Sequence, residues 1–169
     1  IAEANAILTA PGGRFPMKRI VVNGEEYAVF EGLPETFAEL FGATAKFADR
    51  EFLVYEQERV TFGGFRRAVV ALANRLVEEG ITKGDRVAII MRNLPEWFVA
   101  FYGAALAGAV VTPLNGWWTG PELEFGLVDS GARLAIVDDR QLASIIPHLD
   151  ACPMLERVFV SRHEGPLPS

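Results

Sequence analysis

Few side chains in this sequence are spaced to do chemistry together. His148 and Cys152 stand four residues apart, close enough on a helix for an imidazole to activate a thiolate. The same arrangement is met more often when a free thiol packs as a small hydrophobe, so Cys152 is expected to be a buried or half-buried thiol. Ser130 precedes Gly131 at a helix exit and Ser144 falls in mid-helix; both read as structural. Arg92 and Asn93 follow an apolar run that ends at Met91. That is the carboxyl end of a candidate parallel strand, where open α/β sheets bind ligands. Asn93 also stands where a helix cap is needed before Leu94-Pro95, and the cap is the favoured reading. Asp138-Asp139 closes another strand and is placed to cap the next helix. The paired indoles Trp117-Trp118 either line an apolar pocket or supply one hydrophobic-staple residue and one core residue; the second is favoured.

Several chemistries are missing their signatures. The sequence has no Gly-x-Gly-x-x-Gly after a strand, no Gly-x-x-x-x-Gly-Lys-Ser/Thr, no Gly-x-Ser-x-Gly and no His-Glu-x-x-His. His148, His163 and Cys152 have no metal-ligand spacing. With a net charge of -6, nucleic acid is not an expected partner, because phosphate neutralisation needs clustered Lys and Arg. A single cysteine rules out an intrachain disulfide and fits a reducing, cytoplasmic compartment. The first residues carry no basic and apolar leader pattern. They do not begin with Met either, so the N-terminus is expected to be already cut or engineered. Residues 97–114 are uncharged and nearly long enough to span a bilayer. Gly108 and Pro113 interrupt them, and they read as a buried helix running into a buried strand rather than a transmembrane segment.

The elements that must position these residues follow from periodicity. Residues 1–16 are weakly patterned, with Pro11-Gly12-Gly13 opposing a helix. Strands are expected over 19–22 and 26–30, joined by the hairpin turn Asn23-Gly24. A helix follows over 34–48 with Pro34 in its first turn. Strands over 52–56 and 59–62 precede an amphipathic helix over 65–79, with Val69, Leu72, Ala73, Leu76 and Val77 as its apolar stripe. The pattern then alternates: strands over 85–91, 109–114, 133–138 and 157–161, helices over 95–107, 119–128 and 140–149. Thr119 and Glu122 have capping-box spacing, with Trp118 and Leu123 as the staple pair. Residues 165–169 read as a loop. The fold class is α/β, a mostly parallel sheet with helices on both faces, preceded by a small hairpin region. A single domain over 1–169 is expected, made of an extension over 1–50 and an α/β core over 51–161.

The stretch Gly84-Asp85-Arg86-Val87-Ala88-Ile89-Ile90-Met91-Arg92-Asn93-Leu94-Pro95-Glu96-Trp97 resembles the acyl-CoA synthetases of the adenylate-forming superfamily. The run from Phe101 to Asn115 is similar to that family's Leu-x-Ala-Gly…Pro-Leu-Asn segment, and Gly116-Trp117-Trp118-Thr119-Gly120-Pro121-Glu122-Leu123 to its fatty-acid ligases. Val60-Thr61-Phe62, Ala73-Asn74-Arg75-Leu76 and Asp129-Ser130-Gly131-Ala132-Arg133-Leu134 extend the resemblance over most of the chain. It implies an AMP-forming ligase acting on a fatty or other hydrophobic carboxylate, with ATP, CoA and Mg²⁺. The Ser/Thr/Gly-rich loop, acidic ATP motif and C-terminal lysine of such enzymes are absent from this sequence. The chain by itself is therefore expected to be inactive and to hold no cofactor, and no catalytic or metal-binding residue is assigned. Asn93, Asn115, Trp117 and Trp118 remain as pocket or pocket-support residues. Exposed apolar surface is expected where further structure would pack, with homodimers as its consequence. The alternative is a free-standing Rossmann-like binding or regulatory module without catalysis.

Overall fold

The computed structural model describes residues 1–166. The chain forms two compact units, one over Ile1–Leu40 and one from Phe41 onward.

The first unit opens with a helix, α1 (Ala2–Thr9), that buries none of its side chains. A helix without a buried face leaves no apolar periodicity, which is why residues 1–16 show so little pattern. The expected hairpin follows: β1 (Met17–Val22) pairs antiparallel with β2 (Glu25–Phe30). Asn23 and Gly24 both take positive φ, 52° and 87°, as a two-residue type I′ turn requires. The helix expected over 34–48 is shorter and split into α2 (Phe37–Ala43) and a 3-10 turn, Thr44–Phe47. The Thr36 hydroxyl accepts the Glu39 N–H at 3.1 Å, so this cap starts the helix and Pro34 stays outside it.

In the second unit β3 (Glu51–Tyr55) and β4 (Glu58–Thr61) form an antiparallel hairpin. Next comes α3 (Phe62–Glu78), which starts earlier than its apolar stripe because Thr61 caps it, accepting the Gly64 N–H at 3.1 Å. Val69 and Leu76 are fully buried, whereas Val77 is 56% exposed; it lies on the edge of the stripe, turned from the core. Phe41, Phe65 and Val69 centre an aromatic cluster joined by Phe52 and Tyr102.

The remaining elements alternate: β5 (Arg86–Ile90), α4 (Pro95–Leu106), β6 (Val110–Pro113), α5 (Gly120–Ser130), β7 (Leu134–Asp138), α6 (Asp139–Ile145), a 3-10 turn at Ile146–Ala151, and β8 (Arg157–Ser161). The four strands form a parallel sheet in the order β6-β5-β7-β8. Side-chain alternation along β5 sorts the core. Val87 and Ile89 join Leu76, Ala100 and Ala104 on the α3–α4 face, while Ala88 and Ile90 join Leu123, Leu127, Leu142 and Ile145 on the α5–α6 face. Burial on both faces explains the continuous apolar runs. Small residues let α4 approach α3: a Cβ on Gly103 would stand 2.8 Å from Leu72 Cδ2. Among the described residues no helix is long and apolar enough to cross a membrane. The uncharged 97–114 stretch is α4 and β6, separated at Gly108 (φ 87°).

Chain order makes the centre of this sheet special. From β5 the chain moves outward through α4 to β6, then returns through α5 to β7 on the other side of β5. The loops leaving β5 and β7 therefore diverge to opposite faces, the kind of switch point beside which open α/β sheets bind ligands.

Candidate functional site

A cleft of about 610 Å³ lies at the carboxyl ends of β5 and β6. Met91, Arg92, Asn93 and Leu94 from the β5–α4 loop line it, with Trp97 from α4. Pro113 to Trp117, leaving β6, and Tyr55 from the β3–β4 hairpin complete the wall.

One buried carboxylate ties the loops around the cleft together. Asp138, 1% exposed at the end of β7, accepts through Oδ2 the backbone N–H of Arg92 at 3.3 Å and its Nε at 3.2 Å. Through Oδ1 it accepts the Gln141 N–H at 2.9 Å, the cap on α6 expected of the Asp138-Asp139 pair. Gln141 is buried in turn, and its Nε2 donates to the Gly116 carbonyl. Gly116 is pressed against the neighbouring loop: a Cβ there would stand 2.6 Å from the Met91 carbonyl oxygen and 2.8 Å from its carbon. Only a residue without a side chain allows the two loops to come this close.

The four sequence-derived candidates meet different fates. Asn93 is exposed and lines the cleft, but it does not cap α4; the cap position is Leu94, with no side-chain hydrogen bond, and Pro95 at the first turn needs no N–H acceptor. Asn115 lines the cleft and accepts the Trp117 N–H through Oδ1 at 3.0 Å, shaping the loop by its own side chain. The two indoles part company. Trp118 packs against the core cluster that contains Leu123, as a staple residue should, and the capping box between Thr119 and Glu122 is formed. Trp117, expected in the core, is 70% exposed on the cleft, with the Arg140 guanidinium 5.2 Å from its ring. The alternation of a strand does not continue into this loop, so adjacency carries no information about which indole faces inward.

Sequence reasoning does not single out Tyr55, Trp97, Gln141 or Arg140. Tyr55 reaches the cleft from a hairpin remote in the chain, and nothing local marks it. The His148–Cys152 pair is not a nucleophile and its base. The Cys152 thiol donates to the His148 carbonyl oxygen at 3.5 Å, while Nδ1 of His148 lies 2.6 Å from Glu124 Oε2. Burial, aided by the Glu124 charge, pushes the Cys152 thiol pKa up, away from reactivity.

The cleft is chemically mild. Among the described residues Arg92 is its one charged lining residue, and Asp138 already neutralises it. A single committed guanidinium does not balance a triphosphate. Among the described residues no group of three or more His, Cys, Asp or Glu side chains converges to hold a metal ion. These donors therefore do not fit Mg²⁺ or a triphosphate by themselves. Three aromatic rings and two amides suit an uncharged, partly planar group.

A four-stranded doubly wound sheet with a cleft at its carboxyl edge defines an α/β domain. The family model for AMP-binding enzymes matches residues 40–169, so the chain belongs to that family. It is 32% identical over 129 residues to a long-chain-fatty-acid–CoA ligase of Bacillus subtilis, a match covering 76% of this chain and 23% of that protein. It is 50% identical over 70 residues to a long-chain-fatty-acid–CoA ligase of Mycobacterium tuberculosis, covering 39% of this chain and 14% of that one. Among solved structures it superposes on an anthranilate CoA ligase in complex with anthranoyl-AMP, with TM-score 0.72, 26% identity, and coverage of 76% of this chain and 26% of that chain. The sequence thus spans less than a quarter of the length of these curated relatives.

Proposed function

We propose that this chain is the opening segment of the large domain of an AMP-forming acyl-CoA ligase. The observation that carries the reading is the family match over residues 40–169, joined by relatives named as fatty-acid–CoA ligases. In the reaction we assign to the longer protein, a carboxylate oxygen attacks the α-phosphorus of ATP and pyrophosphate leaves. The CoA thiolate then attacks the acyl carbon and AMP leaves. Mg²⁺ would neutralise the departing phosphates. The acid is a fatty or other hydrophobic carboxylate, in keeping with the relatives' names.

The residues of this chain do other work. They build the first sheet, and the cleft at its edge receives an uncharged part of a ligand between Tyr55, Trp97 and Trp117. Asn93 and Asn115 supply amide contacts, and Trp118 supports the loop from below. By itself the chain is inactive and binds neither nucleotide nor metal with measurable affinity. A cytoplasmic location belongs to the same reading, supported by a single, buried cysteine. So does self-association through α5, where Phe125 is 68% exposed and Val128 48%.

The test is to purify the longer protein that contains this segment and measure AMP release with ATP, CoA and acids of increasing chain length. Release that depends on both the carboxylate and CoA is expected. No carboxylate-dependent AMP with any acid would overturn the assignment. Calorimetric 1:1 binding of ATP to the chain alone would overturn the claim that its nucleotide site lies elsewhere.

A further inference from the structure

Of the two residues that follow β8, Arg162 stands over one wall of the cleft and His163 pairs with α6 behind another. Arg162 sits in the left-handed region (φ 56°), which is uncommon for a residue with a side chain. Its Nη1 and Nη2 each lie 2.8 Å from one oxygen of Glu58, and its Nε lies 2.9 Å from Glu96 Oε1. The same guanidinium stands 5.2 Å from the Tyr55 ring. Tyr55 lines the cleft, as does Trp97, which follows Glu96 in the first turn of α4. The next residue, His163, turns to α6: its Nδ1 is 2.5 Å from Asp139 Oδ1. Asp139 precedes Arg140, whose guanidinium covers Trp117.

Surface ion pairs ordinarily contribute little. This arrangement differs in being over-determined. Every nitrogen of the guanidinium is engaged by a carboxylate, and the backbone holds a disfavoured conformation to present it. The second oxygen of Glu96 is buried without a partner, a cost that the Arg162 contact must offset.

We propose that Arg162 and His163 are positioning residues that together act as a clasp. Arg162 holds the Tyr55 and Trp97 walls, His163 holds the Trp117 wall through α6, and so the segment leaving β8 sets the spacing of the cleft's aromatic rings. The inference rests on the cleft reading above for its functional meaning, but its geometry is testable without any ligand.

The chain has three tyrosines and three tryptophans, so fluorotyrosine and indole ¹⁵N labelling yield few, resolvable NMR signals. Arg162→Ala should shift or broaden the Tyr55 and Trp97 signals and leave Tyr102 and Trp118, which pack in separate clusters, in place. Arg162→Gly, which relieves the left-handed backbone, should shift the same two signals, separating the clasp from strain. Arg162→Lys should not restore them, because an ammonium cannot fork. Asp139→Asn should move Trp117 alone. The clasp is refuted if Tyr55 and Trp97 stay at wild-type positions in Arg162→Ala. Equal movement of Tyr102 and Trp118 would likewise refute it, since that reports general loosening. Because the readout needs no substrate, loss of the clasp leaves the ligase assignment standing, and an inactive longer protein leaves the clasp standing.

Discussion

Asp138 and Arg92, 46 positions apart in the chain, meet at the point where β5 and β7 send their loops to opposite faces of the sheet. The carboxylate is 1% exposed and serves the backbone and side chain of Arg92 with one oxygen and the first turn of α6 with the other. One side chain therefore joins both strand ends and a helix start beneath the cleft.

Removing that carboxylate should be costly. Asp138→Ala loses a helix cap, about 1 kcal/mol, and charge-assisted hydrogen bonds of about 1.5–3 kcal/mol, so a loss of roughly 2–4 kcal/mol is expected in urea unfolding. Arg92→Ala should cost less, because the Asp138 carboxylate, although buried, keeps the backbone N–H groups of residue 92 and Gln141 as partners. Equal losses from both would mean that the pair, rather than the cap, carries the stability.

Gly116→Ala should disturb the cleft more than Gly103→Ala disturbs the helix packing. At Gly116 the new methyl meets backbone atoms of Met91 and Arg92, which cannot turn aside, so the loop must shift at about 1–3 kcal/mol. At Gly103 the methyl meets the Leu72 side chain, which has other rotamers. Comparative unfolding with the Trp117 emission spectrum distinguishes them; an unchanged spectrum in Gly116→Ala would contradict the close approach.

His163 should titrate above an ordinary histidine, because the Asp139 carboxylate beside it favours the imidazolium, with the Pro166 carbonyl helping. A raised folded pKa means the stabilisation is full below the unfolded value, about 6.5, and fades as pH rises through the folded one. Asp139→Asn should lower the His163 pKa and flatten that part of the stability profile. An NMR titration of the His163 ring checks both, and a His163 pKa unmoved by Asp139→Asn would refute the pairing.

Cys152 should react slowly with iodoacetamide at neutral pH and much faster once the chain is unfolded, since burial and Glu124 disfavour the thiolate. Labelling followed by mass spectrometry, with and without denaturant, measures the ratio. Equal rates in the two states would show the thiol to be open.

Much of the architecture is legible in the order of residue types alone. Continuous apolar runs such as Val87 to Met91 signal strands buried on both faces, and Thr119 with Glu122, or Asn23 with Gly24, set boundaries through local hydrogen bonding and permitted backbone angles. α1 leaves no such signal because it buries nothing, and α2 begins late because Thr36 caps it where Pro34 suggests a start.

The site is legible only in part. Local chemistry names Asn93, Asn115, Trp117 and Trp118 and places them near strand ends, since a parallel strand dictates where its loop emerges. Tertiary structure decides that Trp117 faces the cleft while Trp118 enters the core, that Asn93 lines rather than caps, and that Tyr55 and Arg162 arrive from distant parts of the chain. Sequence periodicity records which face of an element is apolar. It carries no record of which separate elements meet, because that depends on the packing of the whole sheet, and the cleft exists only where they do.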